Sequence, residues 1–517
     1  MLKSLTLCAV AAFASGRMIP SLARELKRNE KERVEKIKEK YSINPFVETK
    51  WFSARIDHFD NHGADEATYQ MRYLVNKEHF DRTSGPILFY AGNEGDVWDF
   101  YDNSGFMTQN LAQDFQALVV FGEHRYFGES MPYGSESLTN EAYFNQLTPE
   151  QAMLDYVDLI LDIKATEGLE DRAVIVVGGS YGGMLATWLR IKYPNWFQGA
   201  LAASAPILSF EGYVNPYEWY NIATKDYYDA DEYCPEIIKV GFDTLAVDAN
   251  KPDRYSKLQE IFNLCDTPTS ADDVYLLSEN LQSAFASMAM VDYPYPTSFL
   301  APLPAWPVNY SCDQAYKASF SHRQSIDAAL YGIAAAGEVY FNYDQSHTCL
   351  DLNANHDGGV DQNGWNILYC DEIPQPFASS VDTSMWPAYP WDEQGTTEWC
   401  QGAYGLTPQY SWVFDYYGGL NPDKDFMKLS NVIFSNGSLD PWHSGGVLTA
   451  PNPNVVSLYI QDAAHHLDLR APNSADPESV VLARQTEELT IAQWIDEYQG
   501  TSFVEKIKAK HAQAQMQ

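Results

Sequence analysis

Short apolar runs alternate with amphipathic stretches in two parts of this chain. Each run is bounded by turn residues and is typical of a buried strand. In the first part they span 86–92, 117–124, 172–179 and 199–206. Residues 151–164 repeat apolar positions at helical spacing, and a second helix is predicted from Met184 to Tyr193, where Pro194 ends it. Strands that alternate with helices predict a mainly parallel sheet with helices on both faces.

This alternation breaks between about residues 208 and 405. Strand content looks low there, and helical patterns such as 276–290 recur. Strands are predicted again at 431–437 and 455–460. The last predicted helix runs from Pro477 to about Tyr498, with Asp476 as its N-cap and proline at its first position. We therefore expect one α/β domain that is interrupted by a helical insertion.

The start of the chain has the pattern of a secretory signal. Lys3 precedes an apolar stretch from Leu5 to Ala14, which ends in an A-x-A arrangement of small residues. A buried helix is the alternative. Residues 24–41 alternate charges at helical spacing, as a solvated helix or a removable pro-segment does. The predicted division is 1–16 signal peptide, 17–45 charged segment, 46–207 first α/β part, 208–405 insertion and 406–517 second α/β part.

Charge and cysteine content narrow the class of protein. The 517 residues carry a formal net charge of -36, from 70 acidic and 34 basic residues. Such a surface repels nucleic acid and anionic membranes, so neither is an expected partner. No later apolar run is long enough to span a bilayer. Beyond Cys8, an even number of cysteines in a secretory chain predicts three disulfides, with fifteen connectivities open. These cysteines are Cys234, Cys265, Cys312, Cys349, Cys370 and Cys400.

One serine lies between pairs of glycines, directly after a predicted strand and before a predicted helix. Gly178 to Gly182 match G-x-S-x-G, with Ser180 at the centre. A nucleophile elbow requires this context, because the strained turn tolerates almost no side chains beside the serine. The amide of Tyr181 would then lie at a helix N-terminus, where it can face an oxyanion. A plain strand-to-helix turn is the alternative.

A serine nucleophile needs a base and an acid that orients the base. In this fold the acid and then the histidine follow the serine along the chain. Asp440 comes after the strand predicted at 431–437, and His465 and His466 come after the strand at 455–460. Loops that leave parallel strands at the same edge can bring these side chains to Ser180. The alternatives are a turn or cap for Asp440 and a polar loop or half a metal site for the histidines.

Long, ordered stretches resemble the serine peptidase family of lysosomal Pro-X carboxypeptidase and dipeptidyl peptidase II. They are FYAGNEGDVWDF (89–100), EHRYFGESMPYG (123–134), GGSYGGMLATW (178–188), GALAASAPI (199–207), AMVDYPYPTSFLAPLPAWP (289–307), FSNGSLDPW (434–442) and AHHLDLR (464–470). The resemblance implies the α/β-hydrolase fold with a helical, disulfide-stapled cap. It places the nucleophile on Ser180, the acid on Asp440 and the base on His465. His466 and Arg470 would support them.

The same resemblance extends to the surroundings of the triad. It implies an oxyanion hole made of the Tyr181 amide and a backbone amide near Asn93, for which a simple connecting loop is the alternative. Glu94 in the same loop is a further substrate-binding candidate. Family members cleave after proline, and a proline ring needs a flat apolar slot. Met184 and Trp442 are the candidates for its walls, and each could instead belong to the core.

The cysteine pattern of the family implies the pairs Cys234–Cys312, Cys265–Cys349 and Cys370–Cys400. Family members can carry one further pair, which this chain lacks. The family's insertion caps the active site and restricts substrates to short peptides.

The expected function is that of a serine-type exopeptidase that hydrolyses short proline-containing peptides, and the Pro-X carboxypeptidase activity is preferred. Removal of N-terminal X-Pro dipeptides is the alternative. The stretch GNEGDVW, which contains Glu94, favours it, and Asp357 and Asp361 could anchor a free amine. An esterase or lipase and an inactive binding protein are the alternatives of other classes. No cofactor and no metal are expected. The loop at 351–362 departs from a calcium-binding loop at its sixth and twelfth positions.

Asn309 and Asn436 lie in glycosylation sequons. Asn309 is the expected acceptor, and Asn436 is expected to be buried beside the Asp440 loop. We expect the protein in the lysosome or vacuole, or secreted. A homodimer is compatible with the sequence.

Overall fold

An eight-stranded sheet forms the centre of the computed structural model, which describes residues 45–60, 67–354 and 362–514. The strand order across the sheet is β1-β2-β4-β3-β5-β6-β7-β8. Strand β2 is antiparallel to β1 and β4, and all other neighbours are parallel. The strands are β1 Val47–Arg55, β2 Thr68–Asn76, β3 Ile87–Ala91, β4 Leu118–Gly122, β5 Val174–Gly179, β6 Gly199–Ala203, β7 Val432–Gly437 and β8 Val455–Ile460.

All six strands that the apolar runs predict are confirmed, and the mainly parallel sheet with them. The runs identify these strands because every residue of β3, β4, β5, β6 and β7 is buried. The antiparallel pair β1–β2 was not predicted. Strand β1 lies at the edge of the sheet and exposes much of its length, so it contains no continuous apolar run.

Helices cover both faces of the sheet, as expected. On one face, Phe89 and Val176 share an apolar core with helices Pro149–Glu167 and Tyr181–Lys192. On the other face, the core that contains Ile175 also contains residues of two further helices. These are Glu478–Gln499 and Phe503–Ala514. Alternate strand residues therefore supply two separate cores, as the strand period of two requires.

The start of the last long helix differs from the prediction. Its first residue is Glu478, and Pro477 occupies the N-cap position with extended backbone. The Asp476 carboxylate does not cap it. It accepts hydrogen bonds from the Arg484 guanidinium at 2.6 Å and from the Asn473 amide at 2.7 Å. The prediction of Asp476 as N-cap was wrong, because an arginine two turns into the helix binds this carboxylate.

The described residues between β6 and β7 contain helices and no strand of the sheet, in agreement with a helical insertion. Three disulfides lie within this stretch, and their pairing is the one that the resemblance implied: Cys234–Cys312, Cys265–Cys349 and Cys370–Cys400. The boundaries of the predicted domains stay predictions. The helices here are Glu218–Ala230, Cys234–Asp248, Tyr255–Phe262, Ala271–Met290, Pro307–Ser321, Ala328–Asn342, Gln362–Asp371, Glu393–Tyr404, Trp412–Tyr417 and Pro422–Asp425.

Sheet order, strand directions and the turn after β5 make this an α/β-hydrolase fold. Helix Val97–Asp102, followed by a π-helical stretch at Phe106–Leu111, lies between β3 and β4. No helix within the described ranges combines the length and the apolar composition that a membrane crossing requires. The predicted signal peptide, nearly all of the charged segment, Asp357 and Asp361 lie outside the described residues.

Candidate active site

Ser180 occupies a sharp turn between β5 and helix Tyr181–Lys192. Its backbone has φ 57° and ψ -128°, a combination that L-residues rarely adopt. The two motif glycines permit the turn. A Cβ on Gly178 would lie 2.1 Å from the carbonyl oxygen of Gly182, and a Cβ on Gly182 would lie 2.4 Å from Oδ1 of Asn93. The structure therefore has the strained elbow that the sequence predicted.

Asp440 and His465 meet through the loops that follow β7 and β8. The Leu439 amide donates a hydrogen bond to the Ala463 carbonyl at 2.9 Å, and a Cβ on Gly437 would lie 2.1 Å from that same oxygen. The loops thus pack backbone to backbone. Nδ1 of His465 lies 2.9 Å from Oδ2 of Asp440, and both side chains are almost fully buried.

This pairing defines which imidazole nitrogen is free to act. With the proton on Nδ1 directed at Asp440, Nε2 of His465 carries the lone pair. Among the described residues Nε2 has no hydrogen-bond partner. The other carboxylate oxygen of Asp440 accepts the Trp442 amide at 3.0 Å, which fixes the acid in the loop.

The histidine loop lies directly beside the elbow. A Cβ on Gly179, the residue before Ser180, would lie 3.0 Å from Cδ2 of His466. The His466 amide donates to Oγ of Ser204 at 2.8 Å, just after β6. Strands β5, β6, β7 and β8 are parallel neighbours, so their carboxyl ends bring these loops to one edge of the sheet.

His466 and Arg470 lie behind His465. Burial lowers the pKa of His466 well below its ordinary value, and the adjacent His465 and Arg470 lower it further, so His466 is neutral. The Arg470 guanidinium donates to the Asn103 carbonyl and to the Tyr293 hydroxyl, each at 3.1 Å. The supporting role that the resemblance implied stays a prediction.

The loop after β3 closes the site on the other side of Ser180. The Asn93 side-chain amide donates to the Gly179 carbonyl at 2.7 Å, which joins this loop to the elbow. The Tyr181 hydroxyl lies 3.0 Å from Nε2 of His124. Burial lowers the pKa of His124 to about 4, so its neutral ring accepts this bond while Nδ1 donates to the Arg125 carbonyl at 2.7 Å. The elbow is therefore held at the Gly179 carbonyl by Asn93 and at the Tyr181 side chain by His124.

Glu94 follows Asn93 in the same loop. Burial raises the pKa of the Glu94 carboxyl above its ordinary value, while its own backbone amide, Asn93 and His465 act in the opposite direction. Its Oε2 atom is buried and has no hydrogen-bond partner within the described part of the chain. Contact of Glu94 with substrate stays a prediction.

Comparison with known proteins agrees with this geometry. The sequence matches that of the Serine carboxypeptidase S28 family over residues 54–487, which is most of the chain. The chain belongs to that family. As an S28 member it is a serine peptidase, a hydrolase of peptide substrates. The resemblance found in the sequence motifs is thereby confirmed.

Curated relatives of this S28 peptidase align along most of their length. The lysosomal Pro-X carboxypeptidase of Mus musculus is 38% identical over 446 residues, 86% of this chain and 88% of the relative. The Homo sapiens protein of the same name is 37% identical over 449 residues, 87% of this chain and 88% of the relative. The prolyl carboxy peptidase like protein 5 of Caenorhabditis elegans is 34% identical over 452 residues, which cover 84% of this chain and 87% of the relative.

The two candidates for the proline slot of this S28 peptidase occupy different surroundings. The Trp442 ring packs at 5.6 Å from Phe377 and 6.0 Å from Trp219, both from the insertion, and its centroid is 6.5 Å from that of His465. Met184 is 1% exposed and belongs to the core of the sheet's first helical face. Contact of either residue with substrate stays a prediction.

Three residues that the sequence reasoning did not select hold the site of this S28 peptidase together. His124 binds the Tyr181 hydroxyl, Ser204 binds the His466 amide, and Tyr293 binds the carbonyl of His465. All three lie in motif stretches, at 123–134, 199–207 and 289–307, and membership of these stretches is the signal that could have found them. No spacing rule connects Tyr293 with a histidine 172 residues away.

The remaining expectations concern metal sites and sequons. The described residues contain no group of three or more His, Cys, Asp or Glu side chains that could hold a metal ion. Asn309 is exposed in the first turn of helix Pro307–Ser321. Asn436 is 1% exposed, which confirms that it is buried. Glycosylation of Asn309 stays a prediction.

Proposed function

We propose that this protein is a serine exopeptidase that releases the residue after proline from the carboxyl end of short peptides. The observation that carries the proposal is the buried Asp440–His465 pair beside the Ser180 elbow. The identity of 37–38% with lysosomal Pro-X carboxypeptidases along most of the chain supports the specificity.

In the proposed mechanism, Nε2 of His465 takes the Ser180 hydroxyl proton as the oxygen attacks the carbonyl carbon of the proline. Asp440 keeps the Nδ1 proton in place and stabilises the imidazolium that forms. His465 then gives its proton to the leaving amine. Water attacks the acyl-enzyme, again with His465 as base, and the peptide acid leaves.

The Tyr181 amide and a backbone amide near Asn93 would stabilise the tetrahedral oxyanion. The bond from Asn93 to the Gly179 carbonyl supports this role, because it couples the two donors in one rigid unit. Rigid donors need no reorganisation as charge develops, and one such donor is worth about 10²–10³ in kcat.

Glu94 is the proposed contact for the substrate terminus. Its raised pKa favours the neutral carboxyl in acid, and a neutral carboxyl can donate a hydrogen bond to a peptide carboxylate. The ionised form would repel that carboxylate and attract a free amine. We therefore assign carboxypeptidase activity to the acid range. The Trp442 ring, with Phe377 and Trp219 behind it, is the proposed wall for proline.

The compartment and the assembly state are also proposals. The signal-like start of the sequence, the three disulfides and the lysosomal names of the relatives support a protein of the secretory pathway that reaches the lysosome or is secreted. A homodimer is compatible with these observations.

The first experiment tests the nucleophile. Ser180→Ala should lower kcat by about 10⁴-fold or more and abolish labelling by a fluorophosphonate, since the attacking oxygen is gone. Ser457→Ala is the control, because it removes a buried hydroxyl with no partner among the described residues. It should keep activity within about twofold. Ordinary peptidase activity in folded Ser180→Ala would refute the assignment.

The second experiment tests the direction of cleavage. We expect hydrolysis of an N-blocked peptide that ends in Pro-X, most rapidly in acid. Cleavage only of a chromogenic X-Pro amide with a free amine would establish the dipeptidyl peptidase alternative. Hydrolysis of esters without any peptide cleavage would establish an esterase, and absence of labelling at Ser180 would indicate an inactive binding protein.

A further inference from the structure

The main chain of His465 is held from both sides by the insertion. The His465 amide donates a hydrogen bond to the Met290 carbonyl at 2.9 Å. The His465 carbonyl accepts a hydrogen bond from the Tyr293 hydroxyl at 2.8 Å. Met290 is the last residue of helix Ala271–Met290, and Tyr293 follows it by three positions. One short segment of the insertion thus binds both main-chain polar groups of the proposed base, its N–H and its carbonyl.

The direction of each bond at the Tyr293 hydroxyl is fixed by chemistry. A carbonyl can only accept, and the Arg470 guanidinium can only donate. The hydroxyl therefore gives its proton to His465 and accepts Nη2 of Arg470 at 3.1 Å. The guanidinium also lies 4.8 Å from the Tyr293 ring centre and 4.2 Å from that of Phe299. This arrangement leaves the hydroxyl with a single orientation.

The Tyr293 backbone is itself well fixed. Tyr293 is fully buried, and its carbonyl accepts the Trp306 amide at 2.7 Å. The residues around it share one apolar core with the histidine loop: Phe285, Met288, Ala289 and Val291 pack in the same cluster as Ala463, Ala464 and Leu467. The segment is therefore rigid enough to define where the histidine loop lies.

We propose that Tyr293 is a positioning residue for His465, so that the insertion sets the location of the catalytic base as well as covering the site. This inference rests on the proposed function. Nε2 of His465 must stay within hydrogen-bond reach of the serine oxygen for proton transfer, and a displacement of about 1 Å can cost about 10²-fold in rate. Loss of one of two main-chain anchors should cause a part of that displacement.

The test is Tyr293→Phe, with Tyr295→Phe as the matched control. Tyr295 lies two residues further on, and its hydroxyl is buried without a hydrogen-bond partner in the described ranges. For Tyr293→Phe we expect kcat to fall roughly 10-fold with KM within about twofold. The rate of fluorophosphonate labelling should fall by the same factor, while the number of labelled sites stays at one per chain. Tyr295→Phe should match the wild type in all these values.

A conservative replacement separates positioning from folding. Incorporation of p-aminophenylalanine at position 293 restores an N–H donor for the His465 carbonyl, and we expect it to recover kcat to within about threefold. If Tyr293→Phe does not fold, the variant with p-aminophenylalanine at position 293 provides the test alone. A tenfold loss of kcat in it, with full labelling stoichiometry, overturns the proposal.

Two outcomes distinguish this inference from the proposed function. Wild-type kinetics in Tyr293→Phe, together with inactivity of Ser180→Ala, would overturn the inference and leave the function in place. Full activity of Ser180→Ala would overturn the function itself, and the inference with it. Equal losses in Tyr293→Phe and Tyr295→Phe would also overturn the inference, because a general packing effect would then explain both.

Discussion

Helix Pro149–Glu167 carries two buried carboxylates, and they are stabilised in opposite ways. Asp155 is fully surrounded by donors. Its oxygens accept two bonds from Arg125, at 2.7 and 2.8 Å, one from the Tyr69 hydroxyl at 2.7 Å and one from His58 at 2.8 Å. Glu150, near the start of the same helix, lies next to another acid.

Glu150 receives its hydrogen bonds on one oxygen only. Its Oε1 accepts the Tyr417 hydroxyl at 2.6 Å and the Trp412 indole at 3.1 Å. Its Oε2 and the Oε2 of Glu372 are both buried without a donor from the described residues. Burial raises the pKa of Glu372, and the hydrogen bond and charge of Glu150 raise it further. We therefore expect Glu372 to be protonated and to share its proton with Glu150, which would satisfy both oxygens.

The two sites offset the cost of burying a carboxylate in different ways: Asp155 is ionised and paired with a cation, whereas Glu372 holds a proton. Burial alone would raise the pKa of Asp155, but the charge of Arg125 and the bond from His58 outweigh it, and the pKa is lowered. Asp155 therefore stabilises the fold above the pKa that it has in the unfolded chain, and this is lost as the pH falls. Glu372 stabilises the fold in acid, and this is lost as the pH rises through its folded pKa.

The largest effect on stability is expected for Arg125→Met, which removes the main charge partner of Asp155. It removes the arginine charge and two of the four hydrogen bonds of the buried Asp155 carboxylate. We expect the free energy of unfolding at pH 7 to fall by about 3–5 kcal/mol. Urea unfolding measures this. Arg82→Met is the control, because Arg82 pairs with Glu167 at the exposed end of the same helix. That pair is worth about 0–1 kcal/mol, so equal losses would show that burial is not the cause.

Asp155→Asn should cost less at pH 7, about 3 kcal/mol, because Arg125 keeps its bonds to three backbone carbonyls. The deficit should shrink as the pH is lowered towards 3, because the carboxyl at position 155 then gains a proton in the unfolded wild-type chain that folded Asp155, with its lowered pKa, resists. Unfolding curves at both pH values test this. A deficit that does not depend on pH would contradict the assigned charge of Asp155.

The smallest effect is expected for Glu372→Gln, and this substitution should stabilise the fold, whereas the two at the Asp155 site should destabilise it. The amide donates to Glu150 at every pH, so the variant should be more stable than the wild type by about 1–2 kcal/mol at pH 8 and nearly equal at pH 4. Melting temperatures across this range measure the difference. The exposed Glu497→Gln variant should show no such trend. Destabilisation of Glu372→Gln at pH 8 would exclude the shared proton.

The central fold could be predicted because its strands are buried on both faces. An apolar run such as 174–179 is stable only where both of its faces are buried, so it predicts a central strand. Apolar positions at helical spacing identified the helices Pro149–Glu167 and Tyr181–Lys192. The edge strand β1 lacks that pattern. Strand β2 has apolar residues at the alternate positions Tyr69, Met71, Tyr73 and Val75, but the residues between Met71 and Val75 are buried as well, so burial does not alternate along the whole strand.

The candidate triad could be predicted because chain order and loop position restrict it to few residues. The contacts behind it could not, since they depend on packing between distant segments. Asn93 binds the elbow with its side chain, although the resemblance pointed to a backbone amide of its loop. The N-cap expectation for Asp476 was wrong for the same reason, because the local sequence does not indicate that Arg484 binds the Asp476 carboxylate.

The insertion separates β6 from β7, so the ribosome makes Ser180 well before it makes Asp440 and His465. Strands β7 and β8 can add to the sheet only after the whole stretch between Ala203 and Val432 has emerged and its ends have come together. The nascent polypeptide thus has the proposed nucleophile without its proposed base and acid. On this proposal, peptidase activity arises only at the end of synthesis, when the last two strands join the sheet.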